Sequence, residues 1–412
     1  MYRVLLLFIS FIFLNSANGK SAKSTVVLLS IDGFAYNYLE KYQPKQILAF
    51  AKTGTTAKLF SVYPSKTFPN HLSIITGVYP QNHGIIHNNF YHPTLAEKYR
   101  LGAGKKNSSW LTAQPFWSFT QEQGLKSAVY FWPELQAKGQ GRAPNYFVPY
   151  NRIDSEKKRF DQVIDWLKLP ETQAPHFIAS YFSSIDSMGH KFGVGSPELA
   201  QAITAFDNLF GHFIERLQSE VSKEVNVILL SDHGMVNIDK NKQIDLSRIF
   251  NKNNIELMKK KALIVAESST QLYLYFDSSK LSKAEQETVI KNIKSRQLNN
   301  QHLYNVYRKN NYPDHWHLNN DIAIIPDVII EAKLSASFRN KKHTISGTHG
   351  YDPLNQNDLD AIFIAAGPNI AKNRVFKPFE NIHIVPFMSQ LLSIKQPNNI
   401  DGDSSVLKAL VR

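Results

Sequence analysis

The apolar and polar positions of the chain fall into two alternating patterns. Thr25–Ile31 (TVVLLSI) is a continuous apolar run rich in branched residues, of the kind that a strand covered on both faces requires. Similar runs recur at Ser127–Trp132, His176–Phe182, Val225–Leu230 and Ala361–Ala366. Between them, Asp154–Leu169 and Pro197–Leu217 space their apolar residues three and four apart, which predicts amphipathic helices. Buried strands alternating with such helices predict an α/β fold with a mostly parallel central sheet covered by helices on both faces. A further strand group at Gln271–Phe276, Leu303–Arg308 and Asp327–Ala332, with a helix at Lys280–Ser295, interrupts the alternation between His233 and His349. It reads as a small α+β insertion over about residues 240–340 of a single catalytic domain, residues 20–412. No internal repeat, low-complexity tract or long linker divides the chain.

The first residues follow a different rule. Arg3 precedes the run Val4–Leu14, apolar except for Ser10, and Ala17-Asn18-Gly19 then offers small residues at the usual cleavage spacing. At a rise of about 1.5 Å per residue this run covers about 16 Å, roughly half of a bilayer core. A cleaved signal peptide over residues 1–19 is therefore expected, and with it an exported protein, periplasmic or secreted. No other stretch reads as membrane-spanning.

Composition then narrows the chemistry. The 412 residues contain no cysteine, which excludes disulfide frameworks, thiolate metal sites and cysteine nucleophiles. Any metal must sit on nitrogen and oxygen, and 14 histidines are available. An excess of 47 Lys+Arg over 34 Asp+Glu gives a formal charge of +13, which favours anionic partners such as phosphoesters. No basic cluster with interleaved aromatics marks a nucleic-acid interface.

Polar residues gather where the strands end, which is where open α/β sheets bind ligands. Asp32 directly follows TVVLLSI, Asp186 follows HFIASYFSSI with His190 four residues on, and Asp232-His233 follow VNVILLS. His349 lies in the Gly-flanked stretch SGTHGYD. A single Asp after a strand is commonly a helix cap, and a lone loop His is commonly solvated. Three strand-end carboxylates, two with a nearby His, point instead to metal ligation. Six such ligands suit two borderline cations, Zn2+ foremost, each with three protein ligands and an open position. In Ser65-Lys66-Thr67-Phe68-Pro69-Asn70-His71, Pro69 opens a short predicted helix and places Thr67 just before its first turn. Unpaired backbone N–H groups there form an anion site, and a nearby metal would activate the hydroxyl as a nucleophile. The alternative reading of Thr67 is a plain N-cap. Asn88, after HGIIH, is the nearest neutral donor for a phosphoryl oxygen.

These motifs resemble those of the nucleotide pyrophosphatase/phosphodiesterase family of the alkaline phosphatase superfamily. The likeness is carried by SIDGF, KTFPNH through TGVYPQNHGIIHN, IDSMGHKFG, LLSDHGM and SGTHGYDP, in family order, and extends from about Val26 to Gly402. It implies an alkaline-phosphatase-like fold, one zinc on Asp186, His190 and His349, and a second on Asp32, Asp232 and His233 together with the Thr67 oxygen. It also implies a double in-line displacement through a phospho-threonyl intermediate, with Asn88 and the Thr67 N–H stabilising the transition state. By motif position, Phe68 and Tyr150 resemble the aromatics that stack a nucleobase in relatives that cleave nucleotides.

The substrate implied is a small phosphodiester or pyrophosphate of a nucleotide. Choline- or glycerol-type phospholipid headgroups, or monoesters and phosphonates, are the alternatives on the same site, and a catalytically silent phosphate-binding module is the alternative from another class. Sulfatase chemistry is disfavoured, since no Cys or Ser-x-Pro-x-Arg nucleophile motif is present. Three positions depart from the family pattern: Ser183 and Ser184 stand where many relatives have acidic residues, and His87 stands where an acid often precedes the asparagine.

Overall fold

The computed structural model describes residues 24–137, 141–318, 322–339 and 345–412. The leader expected over residues 1–19 lies outside these. Nine strands make the central sheet: β1 (Thr25–Ile31), β2 (Thr55–Phe60), β3 (Ser127–Tyr130), β4 (Tyr146–Val148), β5 (Phe177–Phe182), β6 (Val225–Leu230), β7 (Ala361–Ala366), β8 (Arg374–Val375) and β9 (Phe379–Glu380). Their order is β8-β2-β7-β6-β1-β5-β3-β4, with β9 also paired to β2. The middle is the predicted parallel array, with β1 hydrogen-bonded in parallel to β5 on one side and β6 on the other.

One strand runs against this array. The run Ala361–Ala366 has the composition of the parallel strands, but β7 pairs antiparallel with both β6 and β2. Periodicity reports burial on two faces and carries no information on strand direction. The sheet is therefore mixed and, as expected, mostly parallel. Because β7 enters from the carboxyl rim of its neighbours, the residues preceding it in the chain lie at that same rim.

Alternation along β1 assigns its residues to two layers. Val26 and Leu28 join a core with the apolar face of α2 (Thr67–Thr76), while Val27, Leu29 and Ile31 join one with α1 (Lys45–Lys52), α3 (Glu156–Leu167) and α5 (Pro197–Glu220). Helix α4 (Ser184–Phe192) follows β5 directly. The three strands expected in the insertion, joined by a fourth at Leu263–Glu267, form a separate antiparallel sheet in the order Leu263–Glu267, Gln271–Phe276, Val328–Ala332, Tyr304–Arg308. Its two faces also alternate. Leu272, Leu274, Val328 and Ile330 pack with Val289, Ile290 and Ile293 of the helix Lys283–Leu298. Tyr273, Tyr275 and Ile329 belong to the core of the main sheet. Ser282 and Glu285 start that helix with a reciprocal capping box. No helix among the described residues is long and apolar enough to cross a membrane.

Candidate active site

Register fixes the first two ligands. Ser30 lies opposite both Tyr181 of β5 and Leu230 of β6, so the residues that follow these strands emerge side by side. Asp32 extends the ladder by donating its N–H to Phe182 O at 2.9 Å. Gly33 then turns with φ +72°, and a Cβ there would sit 3.0 Å from the Asp186 Cα and Cβ, so the turn brings β1 against α4. Asp186 and His190, four apart on α4, share a face. His349 arrives on the segment that leads into β7.

The six predicted ligands converge as two groups of three. Asp32, Asp232 and His233 form one, all buried; Asp186, His190 and His349 form the other, of which only His349 is fully buried. His233 Nε2 is 2.9 Å from Asp232 Oδ2 and 3.4 Å from Asp32 Oδ1. Asp186 Oδ1 is 3.4 Å from His190 Nε2 and 3.6 Å from His349 Nε2. The groups abut through the stacked rings of His233 and His349, whose centroids are 3.6 Å apart.

Hydrogen bonds aim the ligand atoms inward. Each imidazole directs Nδ1 at a backbone carbonyl: His233 at Gly234 O (2.9 Å), His190 at Gly347 O (2.9 Å) and His349 at Ser65 O (2.8 Å). A carbonyl can only accept, so Nδ1 carries the proton and the Nε2 lone pair is left for the site. His190 and His349 then face each other Nε2 to Nε2 at 3.1 Å, two lone pairs aimed at one point. The carboxylates behave alike. Tyr181 Oη donates to Asp32 Oδ2 and Gly33 N–H donates to Asp232 Oδ1 (3.2 Å), while Asp32 Oδ1, Asp232 Oδ2 and Asp186 Oδ1 are buried without a hydrogen-bond partner. Buried carboxylate oxygens without donors and converging imine lone pairs are what a divalent cation satisfies. The residues fit such ions.

Electrostatics point the same way. Burial, then the charges of Asp232 and Asp186, push the Asp32 carboxyl well above its ordinary range. Burial would raise Asp232 too, but His233 and His71 hold it well below. Burial, then His233, Lys66 and His190, keep His349 neutral, its ligating form.

Thr67 is the first residue of α2 rather than the residue before it; Lys66 occupies the cap position and the plain N-cap reading of Thr67 falls. Its Oγ1 is 3.3 Å from His233 Nε2, at the edge of the buried group. Asn88 Oδ1 accepts the Phe68 N–H at 3.0 Å, which ties this amide to the first turn of α2. Phe68 is half-buried, its ring edge-on to Tyr99 at 6.3 Å. Tyr150 is 49% exposed and lies on Phe131 at 4.2 Å, with Phe131 in turn 5.1 Å from Tyr181. His87 turns away from the rim: it is buried, accepts Asn89 N–H, and donates to Gln271 Oε1 at 3.2 Å, with burial pushing it down to about 3.

Three supporting residues escaped the sequence reading. Tyr181 sits in an apolar strand run, where its hydroxyl alone signals a needed partner. His71, fully buried, contacts Ser30 Oγ (2.8 Å), Thr67 O (2.9 Å) and Asp232 Oδ2 (3.3 Å). Lys66, also buried, donates to His349 O at 2.6 Å. Lysine and histidine beside a nucleophile motif carry no spacing signal that separates such roles from surface positions.

Comparison with known proteins bears on the family and the fold. Residues 26–352 match the family described as type I phosphodiesterase/nucleotide pyrophosphatase. A Schizosaccharomyces pombe protein described as an uncharacterized pyrophosphatase/phosphodiesterase is 31% identical over 392 residues, covering 92% of this chain and 79% of that protein. Venom phosphodiesterase 2 of Crotalus adamanteus is 34% identical over 386 residues, 92% of this chain but 46% of the venom protein. The chain thus spans about half the length of the venom relatives it matches. The solved structure of human ectonucleotide pyrophosphatase/phosphodiesterase 5 superposes with a TM-score of 0.84 at 25% identity, over 94% of this chain and all of that one.

Two outcomes follow from the geometry. Tyr181→Phe removes only the donor to Asp32 and should weaken divalent-cation binding about 10- to 100-fold, measured by competition with a chromophoric chelator. In the cation-free chain, the raised Asp32 carboxyl keeps a proton that the unfolded chain has released above about pH 4. Unfolding free energy should therefore fall as pH rises from there, and less steeply in Asp32→Asn. Denaturant titrations of chelator-treated protein across that range, showing equal slopes for both chains, would remove Asp32 as the source.

Proposed function

Since the chain belongs to the type I phosphodiesterase/nucleotide pyrophosphatase family, we propose that it is an exported hydrolase of nucleotide phosphodiester or pyrophosphate bonds, working with two Zn2+ and a phospho-threonyl intermediate on Thr67. The observation that carries this reading is Thr67 Oγ1 3.3 Å from His233, at the edge of one of two abutting three-residue groups of candidate ligands.

Asp186, His190 and His349 would hold one cation, and Asp32, Asp232 and His233 the other. Such ions supply Lewis-acid polarisation of the phosphoryl group and stabilise oxyanion charge on attacking and leaving oxygens. The chain supplies position. Thr67 Oγ1 forms a bond to phosphorus as the ester bond to the leaving alkoxide breaks, and water later displaces the threonine oxygen. In the first turn of α2, the Lys66 N–H is bonded to Pro64 O and the Phe68 N–H to Asn88 Oδ1, which leaves the Thr67 N–H for a phosphoryl oxygen. With its Oδ1 held by Phe68, the Asn88 amide has its Nδ2 donors free to meet transition-state charge. Asn70 fixes this turn, accepting Val62 N–H (2.8 Å) and donating to Pro64 O and Lys66 O (2.9 Å each).

Phe68 and the exposed Tyr150 are the aromatics we assign to the nucleobase. Stacking on a base contributes about 1–3 kcal/mol and tolerates any base, and the +13 charge favours anionic esters. The apolar run Val4–Leu14 is the basis for export.

Turnover of nitrophenyl nucleotide, nitrophenyl phosphocholine and nitrophenyl phosphate by the purified chain tests the substrate class. The nucleotide ester should be cleaved fastest; preference for phosphocholine would move the enzyme to headgroup hydrolysis, and preference for the monoester would move it to phosphatase chemistry. Thr67→Ala should keep its cations and lose turnover by several orders of magnitude; retained turnover removes the covalent intermediate. Tyr150→Ala should raise KM for the nucleotide ester roughly 5- to 100-fold while leaving KM for a small non-aromatic diester nearly unchanged.

A further inference from the structure

The segment that carries His349 follows a two-residue antiparallel ladder, Gly347–Thr348 against Val236–Asn237, and beyond it is held by side chains on two sides. Thr348 Oγ1 is 2.7 Å from Ser269 Oγ. The His349 carbonyl accepts from Lys66 Nζ at 2.6 Å and from Thr270 Oγ1 at 3.3 Å. Gly350 N–H donates to Ser65 Oγ at 3.0 Å, and its carbonyl accepts from Gln271 Nε2. Tyr351 O accepts from Ser65 Oγ (2.8 Å), and Asp352 N–H donates to Glu331 Oε1 (3.0 Å). Gly350 has φ +111°, and a Cβ there would meet Lys66 Cε at 2.1 Å and Thr270 Oγ1 at 2.6 Å, so only glycine lets both anchors approach.

Gln271 and Glu331 are direct cross-strand partners in the second sheet. They lie on the face shared with Tyr273 and Ile329, which is turned toward the main core. Glu331 is 4% exposed, and its carboxylate accepts from Tyr63 Oη (2.7 Å), Gln271 Nε2 (3.0 Å) and Asp352 N–H. Asp352 is held from the other direction, accepting from Trp316 Nε1 at 2.9 Å, and the Trp316 ring stacks on Tyr63 at 3.8 Å. A buried carboxyl group with this many hydrogen bonds is a fixed anchor for backbone. Neither Gln271 nor Glu331 touches a ligand side chain, so any effect on the site must pass through the segment between them and His349.

We propose that Glu331, with Gln271, is a positioning residue of the second sheet that fixes the His349 imidazole against Asp186 and His190, and so sets the cation affinity of that group without altering the Asp32 group. The inference rests on the metal reading above. A ligand whose backbone can shift loses the alignment of its lone pair, and loss of an outer-shell partner lowers metal affinity about 10- to 100-fold. Glu331→Gln keeps volume but replaces one acceptor oxygen with a donor, leaving Asp352 N–H or Tyr63 Oη without its acceptor.

The test titrates Co2+ into the chelator-stripped full chain, followed by visible absorption and calorimetry. The unaltered chain should show two binding steps. Glu331→Gln should weaken one step about 10- to 100-fold and leave the other unchanged. The control Ile330→Val lies in the same strand but packs toward the helix Lys283–Leu298, and it should leave both steps unchanged. Gln271→Met removes the donor to Gly350 O and should reproduce the loss, so the comparison survives a Glu331 variant that fails to fold. Unchanged binding in Glu331→Gln or in Gln271→Met, or an equal loss in Ile330→Val, overturns the positioning role. Failure of the unaltered chain to bind Co2+ would instead overturn the metal reading, and the inference with it.

Discussion

Three carboxylates gathered at one rim of the sheet, Asp32 and Asp232 fully buried and Asp186 partly so, are the constraint around which the rest is arranged. Asp32, Asp186 and Asp232 lie near enough that each of the latter two raises the affinity of Asp32 for a proton. Two like charges about 4 Å apart, at an effective dielectric near 20, repel by about 4 kcal/mol, a large part of the 5–15 kcal/mol by which a domain is stable. Fold and rim must therefore be considered together. Two extended apolar layers, one on each face of the sheet, offset the repulsion. Tyr181 and the Gly33 amide each bind one carboxylate oxygen and leave the other turned inward.

The antiparallel strand is the second determinant. A ligand set drawn only from residues that follow parallel strands would be limited to β1, β5 and β6, with Asp32, Asp186 with His190, and Asp232 with His233. Because β7 runs against β6, the residues preceding it also reach the rim, and His349 becomes available to complete the second group. The same reversal places the His349 segment against Ser65 and Lys66, immediately before Thr67, so Thr67 and His349 are referenced to the same backbone.

The strand-end acids were legible because each directly follows a long apolar run, and position after a buried strand is itself structural information. The long helices were legible for the same reason, as their apolar spacing persists over several turns. The direction of β7 was not, since AIFIAA reads alike in either sense. The short strand β2, TTAKLF, alternates between buried and more open positions, and six such residues carry too little apolar pattern to stand out. Of the site, the ligands and Thr67 carried sequence signals, whereas Tyr181, His71, Lys66 and Glu331 did not. Their roles depend on contacts between segments as distant as Tyr63 and Glu331, 268 residues apart, and no local spacing encodes such a pairing.

The two ligand groups are physically unequal. Asp32, Asp232 and His233 all belong to the ends of central strands, are fully buried, and inherit the rigidity of the sheet ladder. Asp186 and His190 come from the first helix after β5 and are partly open, and His349 comes from a segment with only a two-residue ladder, Gly347–Thr348 against Val236–Asn237, its backbone beyond that being held by side chains. Side-chain anchors are weaker restraints than a strand ladder, because each removes one backbone freedom where a ladder removes many in register. The more open group is thus also the more adjustable one, and its geometry depends on a second sheet that supplies no ligand. A change in that sheet can therefore alter one half of the site while the other half, and Thr67 beside it, stay as the central strands place them.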